Sequence, residues 1–368
     1  MKPLGKLRIG IIAPPWFAVP PSGYGGIEWV VSHLADGLVE RGHDVTLYAS
    51  GGSVTTARLV TAFDEPPSAA LGDPIVEAYH LARAYADPHQ FDIIHDHTCL
   101  GLVTGRATGV PLVHTVHGQV LPRFAQLYSE MLDVHYVTIS HDQAATMPLG
   151  TSTTTIYNGV DLAHYPFSEK RGGYLLFVGR MNEEKGILPA IEIARRAEMP
   201  LLVLAKVNEA HEKAYYDELV LPALRSVNAE VRLQVPHEEK AAAYAGAYAT
   251  LFPIQWPEPF GLVMTESMSA GTPVIAFRRG SVPEIIEDGV TGFVCNTVDE
   301  AVDAVGRIPT IERHTCCARV EQHFSAALNV ERYEALYQTL LENRRPAFAL
   351  AGPGVASNHR SLGVATAP

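Results

Sequence analysis

The residues in this sequence best suited to chemistry are two glutamates, Glu258 and Glu266, near the start of a predicted helix. The preceding loop, residues 257–261, reads PEPFG, and its prolines and glycine cannot continue a helix or a strand. Good helix formers then run to residue 270, where Gly-Thr-Pro ends the helix. Free amides and the positive end of the helix dipole therefore meet at one point. The pattern predicts an anion-binding site flanked by two carboxylates.

The order of residues around the two glutamates is more specific than their spacing. Phe-Gly occurs just after Glu258, seven residues separate the glutamates, and Ala-Gly-Thr-Pro-Val follows the helix. This arrangement closely resembles the retaining nucleotide-sugar glycosyltransferases of family GT4, which have the two-domain GT-B fold. The resemblance implies that Glu258 contacts hydroxyls of the donor sugar, that Glu266 holds the ribose, and that the loop amides bind the diphosphate. The donor-binding residues it implies in this stretch are Glu258, Phe260, Gly261, Leu262, Val263 and Glu266.

A second motif carries two basic residues. Residues 174–178 form an apolar run that predicts a buried strand, and Gly179 and Arg180 follow it directly. Lys185 comes five residues after Arg180, at the predicted start of the next helix. This motif also resembles GT4 enzymes, which implies that Arg180 and Lys185 place two positive charges beside the diphosphate. Taken as isolated surface charges, both residues would have an ordinary structural explanation.

The first half of the chain opens with a predicted strand, helix and strand. An apolar run predicts a strand at residues 7–13, helical periodicity predicts a helix at 27–41, and residues 45–48 predict the next strand. Gly25 and Gly26 precede the helix, where the lack of a side chain lets a phosphate approach the backbone. The GT4 resemblance implies that this pair borders the donor diphosphate. The sequence alone equally fits a turn without a ligand.

Histidines lie at the ends of two other predicted strands. Residues 111–118 predict a strand that ends at His117, and the resemblance implies that His117 lies beside the donor sugar. His114 falls inside this strand and is interpreted as packing. A His-Asp-His run at residues 95–97 ends another strand, but alternate residues of a strand face opposite sides, which argues against a metal site. The resemblance implies that the end of this run lies near the acceptor.

The length and the alternation of predicted strands and helices indicate two domains. A chain of 368 residues with 47% hydrophobic content is sufficient for two buried cores. We predict an α/β protein of GT-B fold, with two Rossmann-like, doubly wound parallel-sheet domains facing a central cleft. The predicted units are an acceptor-side domain at 1–165, a donor-side domain at 166–330, a helix at 331–343 that crosses back to the first domain, and a disordered tail at 344–368.

The composition excludes several other classes of protein. A formal net charge of -12, without clustered Lys or Arg, argues against a nucleic-acid partner. No apolar run reaches the roughly 18 residues of a membrane span and no signal-peptide pattern is found, so a cytoplasmic protein is expected. The four cysteines include an adjacent pair and no two-residue-spaced pair, so neither a zinc site nor a disulfide framework is predicted.

The sequence therefore predicts a retaining glycosyltransferase that moves a hexose from a UDP- or GDP-sugar to a hydroxyl acceptor. The resemblance gives catalytic roles to His117, Arg180, Lys185 and Glu258, and it implies that the leaving phosphate assists deprotonation of the acceptor. No Asp-x-Asp motif occurs, so neither a metal nor another cofactor is expected, and the cations with the helix dipole take the role of a metal.

Two other functions remain open from the sequence. A GT-B sugar-nucleotide epimerase would share the phosphate site but use no acceptor, and a non-catalytic protein would bind the nucleotide sugar without releasing nucleoside diphosphate. A Rossmann dehydrogenase is disfavoured because the G-x-G-x-x-G fingerprint is missing. Residues 121–134 are not basic, which favours a soluble acceptor over one in a membrane. A monomer or homodimer is expected, and the donor base and the acceptor are not identified.

Overall fold

The first half of the chain folds into a seven-stranded parallel sheet. The computed structural model describes residues 5–23 and 25–344. The strands of this sheet are β1 (Arg8–Ile12), β2 (Asp44–Ala49), β3 (Arg58–Thr61), β4 (Ile93–Asp96), β5 (Leu112–Val116), β6 (His135–Thr138) and β7 (Ser152–Thr155). They lie in the order β3-β2-β1-β4-β5-β6-β7, and every neighbouring pair is parallel.

Both faces of this sheet are buried, which is why its central strands are continuous apolar runs rather than alternating ones. Ile9 and Ile11 of β1 pack on one face with Leu34, whereas Ile12 packs on the other face with Phe91. Successive side chains of a strand point to opposite faces, so one short strand supplies both halves of the domain core.

The second half contains a six-stranded parallel sheet. Its strands are β8 (Leu175–Arg180), β9 (Leu201–Lys206), β10 (Ala229–Leu233), β11 (Ala249–Phe252), β12 (Val274–Phe277) and β13 (Gly292–Cys295). The order β10-β9-β8-β11-β12-β13 makes β8 and β11 central neighbours whose next strands lie on opposite sides. In open α/β sheets, ligands bind outside the carboxyl ends of such a pair. The loops after β8 and β11 carry the two predicted motifs, so both motifs lie at this position.

Helices connect the strands and cover the sheets. Those of the first half are α1 (Gly26–Glu40), α2 (Pro74–Ala84), α3 (Gly101–Ala107), α4 (Pro122–Ser129) and α5 (His141–Ala144). Those that follow are α6 (Ile187–Arg196), α7 (Ala210–Tyr215), α8 (Leu221–Leu224), α9 (His237–Gly246), α10 (Leu262–Ser269), α11 (Val282–Ile285), α12 (Val298–Arg307), α13 (Arg313–His323) and α14 (Ala326–Arg344). Within the described residues, no helix has the length and apolar character needed to cross a membrane.

The last helix, α14, packs on the first half of the chain although it follows the second half in sequence. Val330, Tyr333 and Tyr337 lie in the same apolar cluster as β1 and α1. The hydroxyl of Tyr337 is 2.6 Å from Nδ1 of His95, and the hydroxyl of Tyr333 is 2.9 Å from Oγ1 of Thr115. The helix therefore joins the two halves through buried apolar and polar contacts. The predicted disordered tail lies outside the described residues, except for Arg344, which ends α14.

We expect Tyr337→Phe to lower the free energy of unfolding by about 1 to 3 kcal/mol, because the substitution leaves the buried Nδ1 of His95 without this hydrogen bond. Chemical denaturation monitored by circular dichroism measures the difference. Tyr79→Phe is the matched control, since Tyr79 is 57% exposed and its substitution should change stability by less than about 0.5 kcal/mol. Equal effects of the two substitutions would contradict the role of the Tyr337 hydroxyl.

Candidate active site

A cavity of about 520 Å³ lies between the two halves of the chain, and both halves contribute to its wall. Nine of the residues predicted to bind the donor or to take part in catalysis line this cavity. They are Gly25, Gly26, Arg180, Lys185, Glu258, Gly261, Leu262, Val263 and Glu266. Residues far apart in sequence are thus brought together where the loops after β8 and β11 meet the start of α1.

Lys185 and Glu258 form an ion pair in this cavity. Nζ of Lys185 is 2.6 Å from Oε2 of Glu258, and the indole Nε1 of Trp256 donates a hydrogen bond to the same oxygen at 3.0 Å. Gly186 has φ 77°, and a Cβ there would collide with the carbonyl oxygen of Pro253, so the lysine turn packs directly on the glutamate loop. The lysine is therefore held in a fixed position at the cavity wall.

Glu266 is held by two other side chains. Nζ of Lys240 donates to Oε1 of Glu266 at 2.8 Å, and the hydroxyl of Tyr244 donates to Oε2, also at 2.8 Å. Burial alone would raise the pKa of Glu266, but Lys240 and the tyrosine hydroxyl outweigh burial and hold that pKa below its usual value. Glu266 is thus an anion at neutral pH, and carboxylate oxygens retain further lone pairs that can accept hydrogen bonds from ligand hydroxyls.

Arg180 has a second cation beside it that the sequence motifs did not indicate. Arg180 ends β8 and Lys206 ends β9, and the two residues are paired in register, so their side chains leave the sheet at the same edge. Nη1 of Arg180 is 3.9 Å from Oε1 of the buried Glu212, and its buried Nε has no hydrogen-bond partner among the residues that the structure describes. Burial lowers the pKa of Lys206, and nearby Glu212 and Glu209 counteract this effect. These residues place a cluster of positive charge at the strand ends.

The start of α10 supplies backbone donors to the same cavity. Gly261 precedes the helix with φ 75°, a left-handed conformation that glycine adopts readily. The first amides of an α-helix have no partner within the helix, and here they belong to Leu262 and Val263, which line the cavity. The positive end of the helix dipole favours an anion at this point.

Phe260 does not line the cavity. Its ring is 1% exposed and packs against Tyr157 and Phe324, with ring centroids 6.2 and 5.9 Å away. The ring of Phe260 therefore anchors the loop in the core of the second domain, and a contact of its backbone with the donor stays a prediction. A phenylalanine in a loop between two prolines and a glycine gave no sequence signal of which way its ring points.

His117 lines a second cavity, of about 390 Å³, that adjoins the first. Both cavities are lined by Phe17, Gly26, Arg180 and Lys206. Nε2 of His117 is 2.9 Å from Nδ1 of His97, and burial lowers the pKa of His117 to about 3, so this histidine is neutral at pH 7. His117 is thus separated from the Lys185 and Glu258 pair, on the side of the cleft formed by the first domain.

Several residues of the site could not be found from sequence motifs. They are Phe17, Trp29, Lys206, His237 and Lys240. Lys206 alone had a sequence signal, because it follows the apolar run of β9 at the carboxyl end of a buried strand. The others reach the cavity from helices or loops whose orientation depends on tertiary packing.

No cluster of three or more His, Cys, Asp or Glu suited to holding a metal ion occurs in the part of the chain that the structure describes. Residues of the His-Asp-His run at the end of β4 instead form hydrogen bonds within the protein. Nε2 of His95 is 2.7 Å from Oγ1 of Thr115, and Oδ1 of Asp96 accepts hydrogen bonds from the amide and hydroxyl of Thr98.

Buried histidines make the stability of the fold depend on pH. Burial lowers the pKa of His33, His80 and His114 to about 4 and that of His117 to about 3. It lowers the pKa of His95 and His97 well below the usual value, and it also lowers that of His135 and His237. The unfolded chain protonates these groups near pH 6.5 whereas the folded protein does not, so acid favours unfolding. Burial raises the pKa of Glu28 to about 7 and of Asp96 to about 6, which opposes the histidines because the folded state holds these two protons.

We expect the free energy of unfolding to fall as the pH is lowered from about 6.5 to about 4, because the histidines whose pKa burial lowers outnumber the carboxyls whose pKa burial raises, Glu28, Asp96 and Asp142. Each net proton contributes a slope of about 1.4 kcal/mol per pH unit. Urea denaturation at a series of pH values measures this slope. His80→Gln retains a hydrogen-bond donor for the carbonyl of Ala13. This variant should reduce the slope by the contribution of one proton, about 1.4 kcal/mol per pH unit. A stability that does not change over this interval would contradict the expected neutrality of the histidines.

The fold and the cleft define a class of protein. Two parallel-sheet Rossmann-like domains with a cavity between them form the GT-B architecture, and solved structures of this class match the chain. Sucrose-phosphate synthase from Thermosynechococcus elongatus matches with a TM-score of 0.76 at 19% identity, over 92% of this chain and 100% of that one. HepE from Anabaena in complex with UDP and glucose matches with a TM-score of 0.71 at 18% identity, over 90% and 100%.

Sequence comparisons identify the family. The sequence model described as Glycosyltransferase Family 4 matches residues 24–164, and that described as Glycosyl transferases group 1 matches residues 166–314. Glycogen synthase of Mycobacterium tuberculosis is 26% identical over 77% of this chain and 81% of its own length. The phosphatidyl-myo-inositol mannosyltransferase of Mycolicibacterium smegmatis is 27% identical over 80% and 82%. The chain belongs to the GT4 family and is a glycosyltransferase.

Proposed function

We propose that this glycosyltransferase moves a hexose from a UDP- or GDP-sugar to a hydroxyl acceptor, with retention of configuration and without a divalent metal. The observation that carries the proposal is that Arg180, Lys185, Glu258 and Glu266 line one cavity with the start of α10. Related proteins support a nucleotide-sugar donor, since HepE has been solved with UDP-glucose and other relatives are named glycogen synthase and mannosyltransferase.

Each side chain has a distinct task in the proposed reaction. Glu266 accepts hydrogen bonds from the ribose hydroxyls, because Lys240 and Tyr244 keep its carboxylate anionic and oriented. The diphosphate lies between Arg180, Lys185 and the amides at the start of α10. Glu258 accepts hydrogen bonds from the sugar and holds Lys185 in place through the 2.6 Å contact. The donor is thereby bound at both of its ends and at its charged centre.

Transfer breaks the bond between the anomeric carbon and the phosphate oxygen, and negative charge grows on the leaving diphosphate. Fixed cations and helix amides stabilise this charge more in the transition state than in the bound donor, which lowers the barrier. The phosphate oxygen that leaves accepts the proton of the attacking hydroxyl, which approaches from the same face and so retains the configuration. Glu258 is not the nucleophile in this scheme, in which the acceptor oxygen attacks the anomeric carbon directly, and its Oε2 is occupied by contacts with Lys185 and Trp256.

Independence of metal follows from the charge already in the cleft. A divalent ion would supply charge stabilisation to the leaving diphosphate. Arg180, Lys185 and Lys206 with the dipole of α10 supply it at the same edge of the sheet. We therefore expect transfer to proceed at an unchanged rate in EDTA.

A donor screen followed by product analysis tests the proposal. Purified protein is first mixed with UDP- and GDP-sugars in a thermal shift assay, since a ligand that binds only the folded state raises the melting temperature. The donor found is then incubated with sugar acceptors in EDTA, and the anomeric configuration of the product is read by NMR. The expected result is a product that forms in EDTA and keeps the anomeric configuration of the donor. An inverted product, or release of nucleoside diphosphate only after addition of a divalent metal, would overturn the corresponding part of the proposal.

A further inference from the structure

The second cavity has the size and position of an acceptor site. Its volume of about 390 Å³ lies at the lower end of the range for small-molecule pockets, which suits a ligand of about one or two sugar rings. It meets the donor cavity at Arg180 and Lys206, and the rest of its wall comes mainly from the first domain. A molecule in this cavity would thus present one end to the donor.

Aromatic rings form much of the wall of this second cavity. Trp16, Phe17, Phe124 and Tyr128 line it. Phe124 and Tyr128 are one helical turn apart on α4, and their rings are nearly parallel, with an interplanar angle of 25° and centroids 6.2 Å apart. The negative face of an aromatic ring attracts the polarised C–H groups that a sugar ring exposes on its apolar face. The wall is therefore suited to a carbohydrate.

Two buried histidine nitrogens in this wall have no hydrogen-bond partner within residues 5–23 and 25–344. They are Nε2 of His97 and Nδ1 of His114, and the two residues are 4% and 3% exposed. Nδ1 of His114 is 3.9 Å from Asp96, which is too far for a hydrogen bond. Buried polar atoms are nearly always satisfied in folded proteins, so partners that bind from the cavity are expected.

The partners that fit these nitrogens are hydroxyl groups. Burial lowers the pKa of His114 to about 4 and that of His97 well below its usual value, so both imidazoles are neutral at pH 7. A neutral imidazole has one donor and one acceptor nitrogen, and a hydroxyl can serve either. A polyhydroxylated ligand therefore satisfies both atoms whichever tautomer each ring adopts.

The charge of the wall argues against an anionic acceptor. Among the described residues that line the second cavity, the lysines and arginines are Arg180 and Lys206, and both also line the donor cavity. The carboxylic acids Glu28 and Glu209 line the second cavity as well. A phosphate or carboxylate placed among the aromatic rings would lack a cation of its own, and burying an unpaired charge is costly.

We propose, on the basis of the proposed function, that the second cavity binds an uncharged sugar or glycoside as the acceptor. One ring packs against Phe124 and Tyr128, its hydroxyls reach His97 and His114, and another hydroxyl faces the donor at the junction of the cavities. In the transfer, the acceptor oxygen forms a bond to the anomeric carbon, the bond to the leaving phosphate breaks, and the acceptor proton passes to that phosphate. The cavity therefore binds uncharged acceptors in preference to sugar phosphates and acidic polyols.

Matched acceptor pairs test this proposal with the wild-type enzyme and the donor found in the screen. Each pair contains an uncharged compound and its phosphorylated form, such as glucose and glucose 6-phosphate, or myo-inositol and inositol 3-phosphate, together with methyl glucoside and maltose as uncharged probes. Product formation is followed by mass spectrometry. We expect kcat/KM for the uncharged members to be at least about 10-fold higher. Preference for a phosphorylated member, or failure of every uncharged probe to be glycosylated, would overturn the proposal.

Measuring the release of nucleoside diphosphate distinguishes failure of the acceptor proposal from failure of the proposed function. If phosphorylated acceptors are glycosylated with retention, the proposed function stands and the uncharged-acceptor proposal fails. If no nucleoside diphosphate forms from any donor, with or without acceptors, the proposed function itself fails.

Two variants locate the acceptor in the second cavity. Phe124→Ala should raise the acceptor KM about 10-fold and leave the donor KM unchanged, because Phe124 lines the second cavity and not the first. A general loss of structure would alter both constants. Arg123→Ala is the matched control: this exposed neighbour lies with its guanidinium 5.2 Å from the ring of Phe124 but does not line the cavity. If Arg123→Ala raises the acceptor KM and Phe124→Ala does not, the acceptor is an anion bound by Arg123 at the mouth of the cavity, and the proposed site is wrong.

Discussion

Lys185→Ala is expected to lower kcat/KM for sugar transfer by about 10²- to 10³-fold while the protein remains folded. The lysine is fixed at the cavity wall by its ion pair with Glu258, and it is positioned to meet negative charge as the diphosphate leaves. Removing one preorganised group that stabilises such charge typically costs this much in rate. Steady-state assays of nucleoside diphosphate release, with circular dichroism as a check of folding, measure the effect. Glu258→Ala is expected to reduce transfer at least as strongly, because it removes the sugar contact and frees the lysine.

A comparison of variants separates the chemical role of Lys185 from a structural one. Lys185→Ala leaves the carboxylate of Glu258 without its cation, and a loop disturbed by this unpaired charge would also lower activity. In the double variant Lys185→Ala/Glu258→Gln the charge imbalance is gone, yet activity should stay low. Lys213→Ala is the control, since Lys213 is 71% exposed and pairs with Asp217 on the surface. Recovery of activity in the double variant would contradict a role in catalysis.

Arg180→Ala is also expected to lower kcat/KM by about 10²- to 10³-fold. Arg180 ends β8 at the junction of the two cavities, and its buried Nε has no hydrogen-bond partner within the described residues. A guanidinium in this position can give two parallel hydrogen bonds to phosphate oxygens. Arg180→Lys keeps the positive charge but cannot give two parallel hydrogen bonds, so this variant should retain only part of the activity.

The control for Arg180 is Arg196→Ala, because Arg196 forms an ion pair with Asp299 on the surface. This variant should have wild-type kinetics, as exposed ion pairs contribute little even to stability. Full activity of Arg180→Lys would show that position 180 requires only a positive charge. Full activity of Arg180→Ala would show that the leaving diphosphate is stabilised elsewhere.

The central strands of the fold could be predicted from sequence, whereas the edge strands of the first sheet could not. The apolar run at 174–178 corresponds to β8, and the one at 7–13 contains β1, because strands buried on both faces must be apolar throughout. By contrast, β3 and β7 lie at the two edges of the first sheet and consist of exposed or half-buried residues. Their sequences, RLVT and STTT, carry no pattern that distinguishes a short edge strand from a loop.

The site could be predicted where one loop carries a recognisable order of residues. Glu258, Glu266, Arg180 and Lys185 belong to such motifs, and the structure brings them to one cavity. Lys240 could not be predicted, because its contact with Glu266 arises from the way α9 packs beside α10. The second cavity also required the structure, since its aromatic and histidine side chains come from four separate segments of the first domain.

A crystal structure of the protein with the nucleoside diphosphate selected by the donor screen tests the central claim most directly. We predict that the diphosphate lies within hydrogen-bond distance of Arg180, Lys185 and the amides of Leu262 and Val263, with the ribose on Glu266. A diphosphate bound away from both cations, or a nucleotide in a crevice other than the one between the two sheets, would contradict this account.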